Sequence, residues 1–91
     1  MKFVWDEAKS KQNKEDPDRL KGFDEAVVLW AGEYMKHPVN VNGFEQVYLL
    51  SGEIEGKVWG AFIVERGSVT RIISFRRLNK RERIKYGWEE N

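Results

Sequence analysis

Residues 57–77, KVWGAFIVERGSVTRIISFRR, hold two runs in which apolar and polar side chains alternate on either side of a Gly-Ser pair. Period-two alternation marks half-buried strands, and a short glycine-containing break between two of them marks a hairpin. The same pattern extends upstream. YMKHPVNV and FEQVYLLS flank an Asn-Gly step, and GEIEG separates the second of these from KVWGAFIVE. An antiparallel meander of up to four strands is expected, with NG, GEIEG and RGS as its turns.

Outside the meander the periodicity changes. KFVW near the start reads as a short strand, and Asp6 is placed to cap a helix through EAKSKQNK, which has little apolar surface. EDPDRLKG, with Pro17 and Gly22, is a connection. In FDEAVVLWA, the residues Ala26, Val27, Leu29 and Trp30 predict a mostly buried second helix opened by Asp24. After Arg77, LNKRERIKYGW returns to helical spacing: Asn79 is the cap, Ile84 and Trp88 share one face, and Gly87 ends or frays the helix. The whole chain, residues 1–91, reads as one α+β domain, a short strand and two helices on an antiparallel sheet with a basic helix last. Helices gathered on one side would leave the other sheet face as a working surface.

Charge is distributed unevenly. From Arg66 onward there are eight Lys and Arg against three Glu, a sum of +5, whereas the first 65 residues carry eight positives and twelve negatives, a sum of −4. Six of those eight late positives are Arg, whose planar fork suits bidentate contact with phosphate or carboxylate. An anionic partner for this end, nucleic acid or an acidic protein, is the expectation, although a Lys/Arg-rich terminal helix is equally often a solvated face. The chain has no cysteine, which excludes disulfides and thiolate metal sites and suits a reducing cytoplasm. MKFVWDEAKSK is charged within six residues, and runs such as AVVLWA are far too short for a secretion signal or a membrane span, so no membrane partner is expected. No paired metal-ligand spacing, phosphate loop or dinucleotide fingerprint occurs, and neither metal nor cofactor is expected. His37, ahead of Pro38, reads as structural.

RNA cleavage by an internal 2′-hydroxyl needs a base for that hydroxyl, cations on the developing phosphorane and an acid for the leaving oxygen. Arg71 and Arg76 can supply the cations, and Glu82, Tyr86 or a lysine can move protons. If Ile73 and Phe75 point into the core, alternation sends Ile72, Ser74 and Arg76 to the opposite face. Arg71 and Arg77 then share the parity of the core residues, so three arginines meet at one phosphate only if a bulge intervenes or Arg71 sits at the fraying start of the strand. Lys80, Arg81, Arg83 and Lys85 circle the last helix rather than forming a stripe. Tyr86 is read equally as packing or as a base-stacking surface, and Trp88 as core.

Two stretches resemble the BrnT toxin family, small RelE-like ribonucleases of bacterial type II toxin–antitoxin systems. FVWDEAKSKQN is similar to the F-x-W-D-x-x-K-x-x-x-N opening through Phe3, Trp5, Asp6, Lys9 and Asn13. RIISFRRLNKRERIKY is similar to the R-x-I-S-A-R segment and following basic helix through Arg71, Ile73, Ser74, Arg76, Glu82, Arg83 and Tyr86. FDEA at residues 23–26 resembles the start of the second helix. The resemblance implies a RelE-like fold, ribosome-independent RNA cleavage with inhibition of translation, and a BrnA-like antitoxin that neutralises the toxin and, in complex with it, represses their operon by binding operator DNA; cleavage by 2′-hydroxyl attack makes the expected endoribonuclease metal-independent. The resemblance puts Lys9, Arg71, Arg76 and Tyr86 at or near the active site. With Glu82 added as a proton-transfer candidate these are the candidate catalytic residues, and Asn13, Arg77, Lys80, Arg81 and Arg83 are the candidate RNA-binding residues. One segment departs from the family: NKEDPDRLKGF lacks the usual K-H-G and puts Phe23 ten residues after Asn13. Phe75 also stands where the family has alanine. The alternative reading is therefore a catalytically inactive relative that binds nucleic acid or antitoxin.

Overall fold

The computed structural model describes residues 1–90. Its elements are β1 (Lys2–Trp5), α1 (Glu7–Glu15), a 3-10 helix (Phe23–Ala31), β2 (Tyr34–Asn42), β3 (Glu45–Ile54), β4 (Lys57–Arg66), β5 (Val69–Arg77) and α2 (Lys80–Lys85). The five strands form one sheet in the order β1-β5-β4-β3-β2. The meander β2 to β5 is antiparallel as expected, but β1 joins its far edge parallel to β5, so the sheet is mixed. No helix is long and apolar enough to cross a membrane.

Both capped helices begin where the sequence places them. The Asp6 carboxylate accepts from the amides of Ala8 and Lys9, and the Asn79 side chain accepts from the Glu82 amide. The second predicted helix is a 3-10 helix that starts after Gly22 rather than at an Asp24 cap. Its buried residues, Phe23, Ala26 and Leu29, recur every three positions, which matches the three-residue turn of that helix better than the 3.6-residue turn of an α-helix. β3 continues through Gly52, Glu53 and Ile54, and only Glu55 and Gly56, both at positive φ, make the next turn.

The main core lies between one sheet face and the 3-10 helix: Phe23, Ala26 and Leu29 pack on Leu50, Trp59, Ala61, Ile63, Ile72 and Phe75, with Phe3, Trp5 and Trp30 at the margin. The helices are not gathered on one side. The register puts Leu49, Ser51, Gly60, Phe62, Ser74 and Arg76 on the opposite face, and the segment around α2 covers part of it. Leu78 closes over Gly60, where an added Cβ would stand 2.8 Å from the Leu78 side chain and 2.7 Å from that of Leu49. Trp88 Nε1 donates to Ser51 Oγ at 2.8 Å. The face expected to be open is thus partly roofed.

Asn13 is buried and fastens three elements. Its amide nitrogen donates to the carbonyls of Lys21 (2.7 Å) and Phe75 (2.8 Å), and its oxygen accepts from Arg19 (2.8 Å). The Phe75 carbonyl lies beyond the end of β1, where β5 has no strand beside it on that edge. Buried carbonyls without partners are costly. Asn13→Ala is expected to lower unfolding stability by about 2–4 kcal/mol in urea titration, and Asn13→Asp by at least as much, because a carboxylate would face two carbonyl oxygens.

Candidate active site

β5 carries a register shift. Ile72 pairs with Ile63 and Ser74 with Phe62, leaving Ile73 without a partner on β4. The bulge reverses the expected parity at its N-terminal side: Ile72, not Ile73, is the core residue, at 1% exposure. Arg71, paired with Val64, therefore shares a face with Ser74 and Arg76. Arg71 and Arg76 remain five residues apart, roughly 15 Å along a strand, a spacing that suits different phosphates better than one. Arg71 is half-buried, with no ion pair or side-chain hydrogen bond among the described residues. Arg77, at the strand end, pairs with Trp59 and is exposed.

Arg76 is held by the helix that follows it. Its two terminal nitrogens donate to the two carboxylate oxygens of Glu82, each at 2.8 Å, and its guanidinium lies 5.1 Å from the centre of the Phe62 ring. Glu82 also accepts from the Asn79 amide at 3.0 Å, which closes the capping box of α2. The hydrogen bonds from Arg76 hold the Glu82 carboxyl below its usual range, against partial desolvation. The same pair raises Arg76 above its ordinary value, with smaller Coulombic contributions from Glu82 and Tyr86. Tyr86 is thus within electrostatic reach of Arg76. Its ring lies 5.1 Å from that of His37, whose buried Nδ1 has no hydrogen-bond partner among the described residues.

A carboxylate so engaged is a weak proton acceptor, and its geometry suits holding Arg76 in place. End-on pairing with Glu82 leaves the Nε edge of the guanidinium available as a second donor pair. Beside it is a groove of about 430 Å³ lined by Asp18, Arg19, Lys57, Val58, Arg76, Arg77, Leu78, Asn79 and Arg83. Five cationic side chains face one carboxylate there. Arg83 is largely committed to the fold through Glu89 (2.5 Å) and the Leu78 carbonyl (2.8 Å). Lys80 and Arg81 are exposed on α2 away from this lining.

Lys9 is exposed on α1 and lines a second cavity, of about 340 Å³, with Gln12, Asn13, Asp16, Arg19, Phe23, Ile73 and Ser74. The sequence-predicted residues are therefore divided: Arg76 and Glu82 pair directly, Tyr86 ends α2 with its ring on His37, Lys9 and Asn13 lie in the neighbouring cavity, and Arg71 stands apart. Arg19 lines both cavities. Arg19 and Lys57 were legible only as charges in a loop and beside a turn, with no spacing that ties them to β5. No group of three or more His, Cys, Asp or Glu placed to hold a metal ion occurs among the described residues.

The family model described as "Ribonuclease toxin, BrnT, of type II toxin-antitoxin system" matches residues 5–82. The chain belongs to the BrnT family. Type II membership implies an antitoxin partner, and the family description supports endoribonuclease activity. No curated protein matches the chain. The matched span ends at Glu82, so it takes in the Arg76–Glu82 pair and all of α1, while Tyr86 and the Trp88 anchor lie beyond it.

The Arg76–Glu82 pair has a pH signature. A depressed carboxyl contributes stability that is complete above its unfolded value, about 4.5, and that is lost as pH falls through the lower folded value. Glu82→Gln should cost about 1–2 kcal/mol near neutrality, the figure for a charge-assisted bond discounted for partial exposure. In denaturant titrations at several pH values, the wild-type advantage should vanish under acid conditions.

Proposed function

We propose that this BrnT-family protein is an endoribonuclease with a RelE-like fold that cuts RNA by internal 2′-hydroxyl attack without a metal ion. The observation that carries the reading is Arg76, charged and fixed by Glu82, at the wall of a groove in which cations outnumber carboxylates five to one. A phosphodiester seated there meets the free Nε edge of Arg76. As the 2′-oxygen closes on phosphorus, the phosphorane gains negative charge, and a prefixed guanidinium stabilises that charge more than it stabilises the ground state. The 2′-hydroxyl proton goes to a base, and the 5′-oxygen leaves with a proton from an acid, giving a 2′,3′-cyclic phosphate and a 5′-hydroxyl.

Tyr86 and Lys9 are the proton-transfer candidates that remain once Glu82 serves as a positioning group. Tyr86 ends the helix that carries Glu82, and Lys9 lines the second cavity. Arg77 and Arg71 hold neighbouring phosphates, and Lys80 and Arg81 add a general field that attracts RNA. A BrnA-like antitoxin neutralises the enzyme by covering the last strand and α2 with an acidic or helical element, whose carboxylates replace RNA phosphate, and it carries the complex to operator DNA. Matching carboxylates are required because desolvating unpaired arginines would cost more than the contact returns.

The binding-only alternative draws on the altered loop, residues 14–22, which has no histidine. Cleavage of total RNA by the purified chain, with product ends analysed, separates the two readings. The proposal expects cyclic phosphate ends in the presence of a chelator, and a drop of about 10²–10³-fold in rate for Arg76→Ala. RNA left intact by stoichiometric wild-type protein, with affinity retained, would establish the binding module instead.

A further inference from the structure

The loop between α1 and the 3-10 helix adds a cation to the groove. Arg19 reaches back from it, donates to the buried Asn13 oxygen at 2.8 Å, and keeps only a 4.0 Å contact with Asp16. It lines the groove of Arg76 on one side and the cavity of Lys9 on the other. The same groove is lined by Lys57, the first residue of β4, exposed and without an ion pair or side-chain hydrogen bond among the described residues. The adjoining residue in the loop, Leu20, is held at φ +60, a left-handed conformation a branched side chain rarely adopts. The hydrogen bonds that the Leu20 and Arg19 amides make to the Asp16 carbonyl, at 2.9 and 3.0 Å, fix that turn. The turn sets the direction from which Arg19 enters.

Cations brought to one groove from three separate parts of the chain, the loop after α1, β5 and the start of β4, describe a track rather than a point. We propose that Arg19 and Lys57 are RNA-binding residues that hold the phosphates flanking the one at Arg76, so that single-stranded RNA runs from the α1 cavity past Arg76 to the β3–β4 turn. This rests on the ribonuclease reading and extends it by naming the path and the form of the substrate. A single strand fits because successive phosphates are free to follow a curved groove, whereas a duplex presents them at fixed spacing.

Each phosphate contact releases counterions, so removing one lowers the slope of log affinity against log salt by about 0.7 for a single strand. A purely structural role does not change that slope. The experiment measures binding of a non-cleavable 2′-deoxy-substituted oligonucleotide across a salt series. The proteins compared are the full chain, Arg19→Gln, Lys57→Gln and the double variant, with Arg19→Lys as the charge-preserving control. The expected result is a slope reduced by about 0.7 in each single variant, about 1.4 in the double, and near wild type in Arg19→Lys. Wild-type slopes in both Gln variants would overturn the path while leaving the ribonuclease reading intact. Failure of the wild type to bind any oligonucleotide would instead overturn that reading, and the path with it. Lys57→Gln touches no contact of the fold, so its slope keeps the test valid if Arg19→Gln loosens the Asn13 cluster.

Discussion

The unpaired residue Ile73 in β5 is the constraint on which the arrangement depends. A regular strand would have turned Arg71 toward the core face, and the hydrophobic seam would have needed Ile73 inside and Ile72 out. One extra residue lets Ile72 and Phe75 both reach the core while Arg71, Ser74 and Arg76 share the other face. The same stretch runs past the end of β1, which leaves the Phe75 carbonyl for Asn13 and brings α1, with Lys9, against the bulge. Core packing, the fastening of α1 and the display of arginines are thus set within six residues of one strand.

Electrostatics then decide how the display is used. Free arginines packed this closely would repel one another and wander, and the chain restrains most of them with its own acids: Glu82 on Arg76, Glu89 on Arg83, Asp16 more loosely on Arg19. The restraint on Arg76 is bidentate and shielded enough to count, whereas pairs such as Arg66–Glu45 are exposed and contribute little to stability. In the proposed reaction, pre-fixing the guanidinium in this way would remove the reorganisation that a phosphorane otherwise imposes on it. It also means that whatever binds the groove meets a partly neutralised arginine, so affinity must be drawn from Arg77, Lys57 and Arg19 as well.

Much of this was legible in the residues. Asp6 and Asn79 announced two caps, the glycine-marked turns announced the meander, and the late arginines announced a cationic surface. What could not be read from local pattern depended on long-range pairing. The parallel docking of β1 on β5 leaves no period of its own in KFVW, and FDEAVVLWA looks apolar enough for either helix type until the three-residue spacing of Phe23, Ala26 and Leu29 is seen against the sheet. Nothing in the motif around Asn13 shows that its amide ties Lys21, Phe75 and Arg19 together. Glu82 was legible as a titratable group on the last helix, but its hold on both terminal nitrogens of Arg76 was not. Arg19 sat in a loop whose composition suggested only a connection, and nothing in the spacing of EDPDRLKG shows that it turns back onto Asn13.

The central claim is that the bulged strand and α2 together present one phosphate-binding groove. The most direct measurement is side-chain NMR of the arginine Nε–H groups during titration with a non-cleavable RNA oligonucleotide. The account predicts that Arg76, Arg77 and Arg19 shift together and saturate at one stoichiometry, while Arg66, at the β4–β5 hairpin, stays in place. Shifts confined to Arg66 and the distant hairpins, with Arg76 unmoved, would contradict it.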